Sequence, residues 1–184
     1  MSDTQIRFKY LSDFRLSELV NPMKRLLSGL LINTLISLPA IAQDSFGGLD
    51  FEEITAPHYR PGSIKHIVMF KFKPEVTDAE KRLGVEKFLQ LEKTAVRNGK
   101  PYISSIITGS QNSHERLDMG FEQAFIVSFQ SEGDRNYYVG TPFVTDPRYF
   151  DASHDDFKKF IAPLLLDGNK GVFVFDFQVD CRQC

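Results

Sequence analysis

From residue 64 onward, apolar and polar side chains alternate. Ile64, His66, Val68, Phe70 and Phe72 share one face, and Lys65, Ile67, Met69, Lys71 and Lys73 the other. A period of two predicts a strand. Pro74 ends it, and Thr77-Asp78-Ala79-Glu80 has the spacing of a capping box, in which hydroxyl and carboxylate each satisfy an amide of the first helical turn. Val85, Phe88, Leu89, Ala95 and Val96 form the apolar stripe of the helix that follows, and Asn98-Gly99-Lys100-Pro101 supplies its stop. Residues 102–108 read as a second strand, 109–120 as a polar loop, and 121–130 as a third strand, with Phe121, Phe125, Val127 and Phe129 set against Ala124 and Ile126. A short helical piece at 134–138 and a proline-punctuated loop at 140–147 lead to a second long helix over 148–166. Phe150, His154, Phe157, Ile161 and Leu164 hold one face of that helix, while Asp155, Asp156, Lys158 and Lys159 hold the solvent side. Gly168-Asn169-Lys170-Gly171 turns the chain into a last strand, 172–179.

The order β-α-β-β-α-β predicts a ferredoxin-like α+β fold. Its strands are apolar on both sides: Ile67 and Met69 behind Val68 and Phe70, Ala124 and Ile126 behind Phe125, Val172 and Val174 behind Phe173 and Phe175. Two helices cover one side of a four-stranded sheet. Leaving the other side wet forfeits about 25 cal/mol per Å² of apolar area. A second copy is the simplest cover, so a homodimeric α/β barrel is expected; the alternative is that residues 43–62 fold back over that face.

The region before residue 63 has no such period. Met23-Lys24-Arg25, an apolar run from Leu26 to Leu38 and Pro39-Ala40-Ile41-Ala42-Gln43 have the layout of a signal peptide over 23–42, with cleavage after Ala42. An uncleaved anchor is the other reading of that run, whose length sits at the lower limit for a span. The expected location is periplasmic or secreted, with no stable membrane insertion after cleavage. Residues 1–22 read as an extension or a mis-set start, 43–62 as a linker or arm, 63–180 as the domain and 181–184 as a tail. Cys181 and Cys184 in that tail are free to pair with each other or across a dimer. A net charge of −2 offers no basic field for nucleic acid. The 17 phenylalanines and absence of tryptophan point to a phenylalanine-lined core. Neither His58 nor His114 with Asp118 has metal-ligand spacing, and no phosphate loop or nucleophile elbow is present, so no metal and no cofactor is expected.

Ile64 to Phe72, Gly109, Gly120-Phe121, Asp134 to Tyr138, His154-Asp155-Asp156-Phe157 and Val174-Phe175-Asp176-Phe177 together resemble the stress-responsive dimeric A/B barrel (Dabb) family over residues 64–178. The resemblance implies the ferredoxin-like fold and the dimeric barrel. A plant polyketide cyclase of that family works without metal or organic cofactor through a first-strand histidine, a last-helix histidine and a nearby tyrosine. The matching positions here are His66, His154 and Tyr138, with a longer loop between the last two.

His66 and His154 each interrupt an apolar stripe. Imidazoles exchange protons near neutral pH, so two of them in one apolar cavity suit acid–base work on a carbonyl compound; the alternative is a pair of core histidines bonded to backbone. Val68, Phe70 and Phe157 would line the cavity, with Glu92 orienting a histidine or reaching water, and Asp176 structural. Two functions follow: an exported module binding a small apolar molecule, or a cofactor-free lyase, cyclase or isomerase.

Overall fold

The alternation from Ile64 builds a ten-residue strand, β1 (Pro61–Phe70). In the computed structural model, which describes residues 50–180, β1 lies between β5 (Gln123–Ser131) and β6 (Val172–Gln178). Both run antiparallel to it, and β4 (Ser105–Ser110) pairs with the far side of β5. α2 (Asp78–Thr94) and α4 (Ala152–Ile161) pack on one face. Between the sheet and these helices, Val68, Phe70, Phe125, Val127, Phe129, Phe88, Phe157 and Ile161 form the core, with Phe88 stacked on Phe125 at 3.9 Å. Each such side chain contributes about 1.5–3 kcal/mol on burial. The capping box opens α2 as expected: Thr77 Oγ1 accepts from the Glu80 amide and Glu80 accepts from the Thr77 amide.

Several boundaries differ from the sequence pattern. Asn98-Gly99 does not close the helix. α2 ends at Thr94, and both turn residues take positive φ to join the two-residue strands β2 (Val96–Arg97) and β3 (Lys100–Pro101). This is the backbone that tight hairpins require, and it leaves Val96 exposed. The second long helix is broken: a 3₁₀ turn at Pro147–Tyr149 and extended Phe150 precede Asp151, which N-caps α4, and Pro163 sits in another 3₁₀ turn, Ala162–Leu164. The short piece after β5 is α3 (Glu132–Val139), capped by Ser131.

Residues 50–62 are not a featureless linker. Asp50 caps a single turn, α1 (Phe51–Ile54), and Phe51 and Ile54 bury themselves with Val144 in a satellite core that also holds Tyr59, Phe143 and Phe150. The chain then crosses the start of α3 so closely that a Cβ at Gly133 would lie 1.8 Å from the Ala56 carbonyl oxygen. Only glycine fits there. This segment therefore packs beside α3 rather than over the second sheet face.

Among the described residues nothing covers that second face. The β1–β6 register pairs Ile67 with Phe175 and Met69 with Phe173, so the phenylalanines of β6 join the back of the sheet, while Val172, Val174 and Asp176 face the helix side. This reverses the pairing of faces read from sequence for β6, because the register and not the strand's own pattern decides it. Phe173, Phe175, Phe177 and Ile107 are exposed, Phe175 by 54 %. The segment expected to be a signal peptide (23–42), the expected extension (1–22), the first part of the expected arm (43–49) and the Cys181–Cys184 tail lie outside the described residues.

Candidate active site

Between β1, β6, α3, α4 and the 140–147 loop lies a cavity of about 570 Å³. His66, Val68 and Phe70 enter it from β1, as their alternation requires. His154, Phe157 and Lys158 enter from α4, and Val172, Val174 and Asp176 from β6. Pro142 and Phe143 close one end. The wall is mostly hydrocarbon, with its polar groups gathered around the two imidazoles.

Each imidazole is fixed through Nδ1. His154 Nδ1 lies 2.6 Å from the Tyr138 carbonyl oxygen, which can only accept, so Nδ1 carries the proton. The backbone amide of His154 in turn donates to Asp151 Oδ1 at 2.9 Å. Burial lowers the His154 imidazole to about 3, outweighing the bond to Tyr138, so the ring is neutral at physiological pH. His66 Nδ1 lies 2.6 Å from Asp176 Oδ1, and Arg135 donates to the other carboxylate oxygen. Burial pushes the Asp176 carboxyl up, but the bonds from His66 and Arg135 prevail and hold it below its ordinary range. An ionised Asp176 accepts from His66 Nδ1–H, and in the neutral ring that leaves Nε2 with its lone pair. Neither Nε2 has a hydrogen-bond partner among the described residues.

The two cations of the wall are already engaged. Arg135 donates to Asp176, to Glu132 Oε1 at 3.3 Å and to Asn136 Oδ1 at 2.9 Å. Lys158, expected on the solvent side, turns inward, and its ammonium is held by the Val139 and Thr141 carbonyl oxygens at 3.0 and 3.1 Å. Burial lowers it despite the nearby Asp155.

The structure thus brings together His66, His154, Val68, Phe70 and Phe157. It does not bring in Tyr138 or Glu92. Tyr138 is 1 % exposed and lies behind the histidines, stacked on His154 at 3.7 Å and edge-on to His66 at 5.7 Å. Its hydroxyl is buried and unpaired, and burial, with the charge of Asp151, raises it well above its ordinary value. Glu92 points to the sheet edge, where it accepts from the Ile106 amide at 3.2 Å. Sequence reasoning missed Asp176, Arg135, Asn136 and Lys158. The signal for Asp176 was available: the βαββαβ topology sets the last strand beside the first, and the register places Asp176 opposite His66.

The model of the stress responsive A/B barrel domain matches residues 64–179. No curated protein sequence matches the chain. Among solved structures, a hydroxynitrile lyase from Passiflora edulis is 18 % identical, covering 65 % of this chain and 95 % of its own, with a TM-score of 0.50. A protein from Arabidopsis thaliana is 20 % identical over 64 % of this chain and 95 % of its own (TM-score 0.49). A dimeric ferredoxin-like protein of unknown function from Jannaschia is 16 % identical over 64 % of this chain and all of its own (TM-score 0.49). At 18 % identity the likeness to the lyase speaks to the fold alone.

Proposed function

The chain belongs to the stress responsive A/B barrel domain family, and on that premise we propose that it binds a small, largely apolar molecule whose polar end donates hydrogen bonds. One observation carries this reading: two imidazoles, each with Nδ1–H committed to a protein acceptor, share one apolar cavity and present Nε2. In the neutral rings both Nε2 atoms accept and cannot donate. Arg135 and Lys158 have protein acceptors of their own. A carboxylate would thus meet acceptors where it needs donors, whereas an alcohol, phenol or enol meets what it needs.

In the probe pair 4-propylphenol and 4-propylanisole, a methyl group replaces the hydrogen of that donor. Calorimetric titration should show the phenol binding at least about fivefold more tightly, the scale of one net hydrogen bond, and the preference should vanish when both acceptors are removed in the double variant His66→Phe, His154→Phe. Equal affinities for the two probes would sink the reading.

A second reading, acid–base catalysis, is favoured by the His66–Asp176 contact. A carboxylate at Nδ1 steadies the imidazolium formed when Nε2 takes a proton, and His154, locked neutral, accepts beside it. Such a lyase, cyclase or isomerase would need no organic cofactor. Homodimerisation through the bare sheet face and export after cleavage at Ala42 complete the proposal. Sedimentation of the purified chain tests the first. N-terminal sequencing of secreted protein tests the second, with Gln43 as the expected first residue.

A further inference from the structure

Residues 50–60 lie outside the family match, yet they are bonded into the site. Phe51 and Ile54 are buried against Val144, next to Phe143 at the end of the cavity. The Ile54 carbonyl oxygen accepts from Asn136 Nδ2 at 2.7 Å in a buried bond. The oxygen of the same side-chain amide accepts from Arg135 Nε at 2.9 Å. Arg135 holds Asp176, and Asp176 holds His66 Nδ1 at 2.6 Å.

We infer that residues 50–60 are a working part of the site. Through the unbroken chain from Ile54 to Asn136, Arg135, Asp176 and His66 they hold the His66 tautomer, and Asn136 is a positioning residue. The side-chain amide has two orientations, and only one satisfies both neighbours. Turned over, its NH₂ would face the Arg135 Nε–H and its oxygen would face the Ile54 carbonyl, two repulsive pairs. Seating of the segment therefore selects the amide orientation that gives Arg135 an acceptor at Nε. Arg135 so held keeps Asp176 turned toward His66 Nδ1. Coupling of this kind is reciprocal: whatever frees His66 or Asp176 loosens the segment as well. The other titratable and charged groups around His66 are Glu132, Arg135 and Tyr138 on α3 and His154 and Lys158 on α4. None of these supplies an acceptor to Nδ1.

The inference rests on reading His66 as the acceptor presented to the cavity, but its test needs no ligand. Long-range ¹⁵N–¹H correlation spectra of the full chain, labelled at histidine nitrogens, report the ring tautomer directly. Recorded where the ring is neutral, the wild type should show His66 as the single Nδ1–H form. Asn136→Ala should raise the Nε2–H fraction several-fold. So should Phe51→Ala, which unseats the segment without touching the bonded chain and serves if Asn136→Ala fails to fold. In the reverse direction, Asp176→Asn should speed hydrogen exchange at the Ile54 and Thr55 amides at least about fivefold. Leu91→Ala, a core truncation remote from the chain, is the control and should change neither reading. An unchanged His66 tautomer in Phe51→Ala overturns the inference, as does an equal change in Leu91→Ala, which would mean general loosening. A failed phenol titration with these spectra as expected would strike only the ligand reading.

Discussion

The His154 imidazole is held at about 3 chiefly by burial, whereas in the unfolded chain it returns to about 6.5. Between those values the unfolded chain binds a proton that the folded one refuses, so stability falls as pH falls through that window. The slope from this one group is at most about 1.4 kcal/mol per pH unit. Urea titrations at pH 7, 6, 5 and 4 should therefore show a flatter decline in His154→Gln than in wild type, even if the variant is less stable at pH 7; parallel curves would contradict the burial argument. Tyr138→Phe tests the neighbouring ring. Removing an unpaired buried hydroxyl should leave stability unchanged or raise it by about 1 kcal/mol. Probe binding should be unaffected, since Tyr138 lies behind the cavity wall. The histidines were legible in the sequence because each breaks an apolar stripe. Tyr138 and Glu92 fall outside the cavity lining because a residue's direction within one helical turn decides whether it meets a cavity or a strand edge, and periodicity does not resolve that.

At the scale of elements, Asp151 joins three of them. It caps α4 through the His154 amide, accepts from the Tyr102 hydroxyl at 2.8 Å, and its own amide donates to the Tyr137 carbonyl at the end of α3. Asp151→Ala removes a cap and leaves a buried phenol unpaired, for an expected loss of about 2–4 kcal/mol, read as a lower urea midpoint with an unchanged slope. Element type was readable along the chain wherever the period was long, as in β1 and α2. The broken second helix was not, since Phe150 sits at the right spacing for the stripe while Asp151 prefers to cap. Asp176 escaped for a deeper reason: its partner lies 110 residues away in sequence, and register across β1 and β6 is a property of the folded sheet. The arm escaped because a four-residue turn leaves no period to see.

For the whole molecule, the governing feature is an apolar face that no other described residue covers. Phe173, Phe175 and Phe177 lie beside Ile67 and Met69 there. Phe175→Glu places a charge in the middle of that face, and the proposed dimer should dissociate to a monomer in sedimentation velocity runs while far-ultraviolet circular dichroism stays as in wild type. A dimer that persists in the variant would place the contact elsewhere. The fold class and the two-sided sheet were both visible in the sequence, because apolar alternation on both faces is a local pattern repeated in three strands.

β6 reads two surroundings at once, with Val172, Val174 and Asp176 turned to the cavity and Phe173, Phe175 and Phe177 turned to the open face. Sliding this ribbon by a single position would swap the sets, strip His66 of its carboxylate and set that charge on the open face beside Ile67 and Met69. Correct alignment of seven residues is thus enforced by the pocket and, in the proposed dimer, a second time by self-recognition, and a lesion that spares one will rarely spare the other.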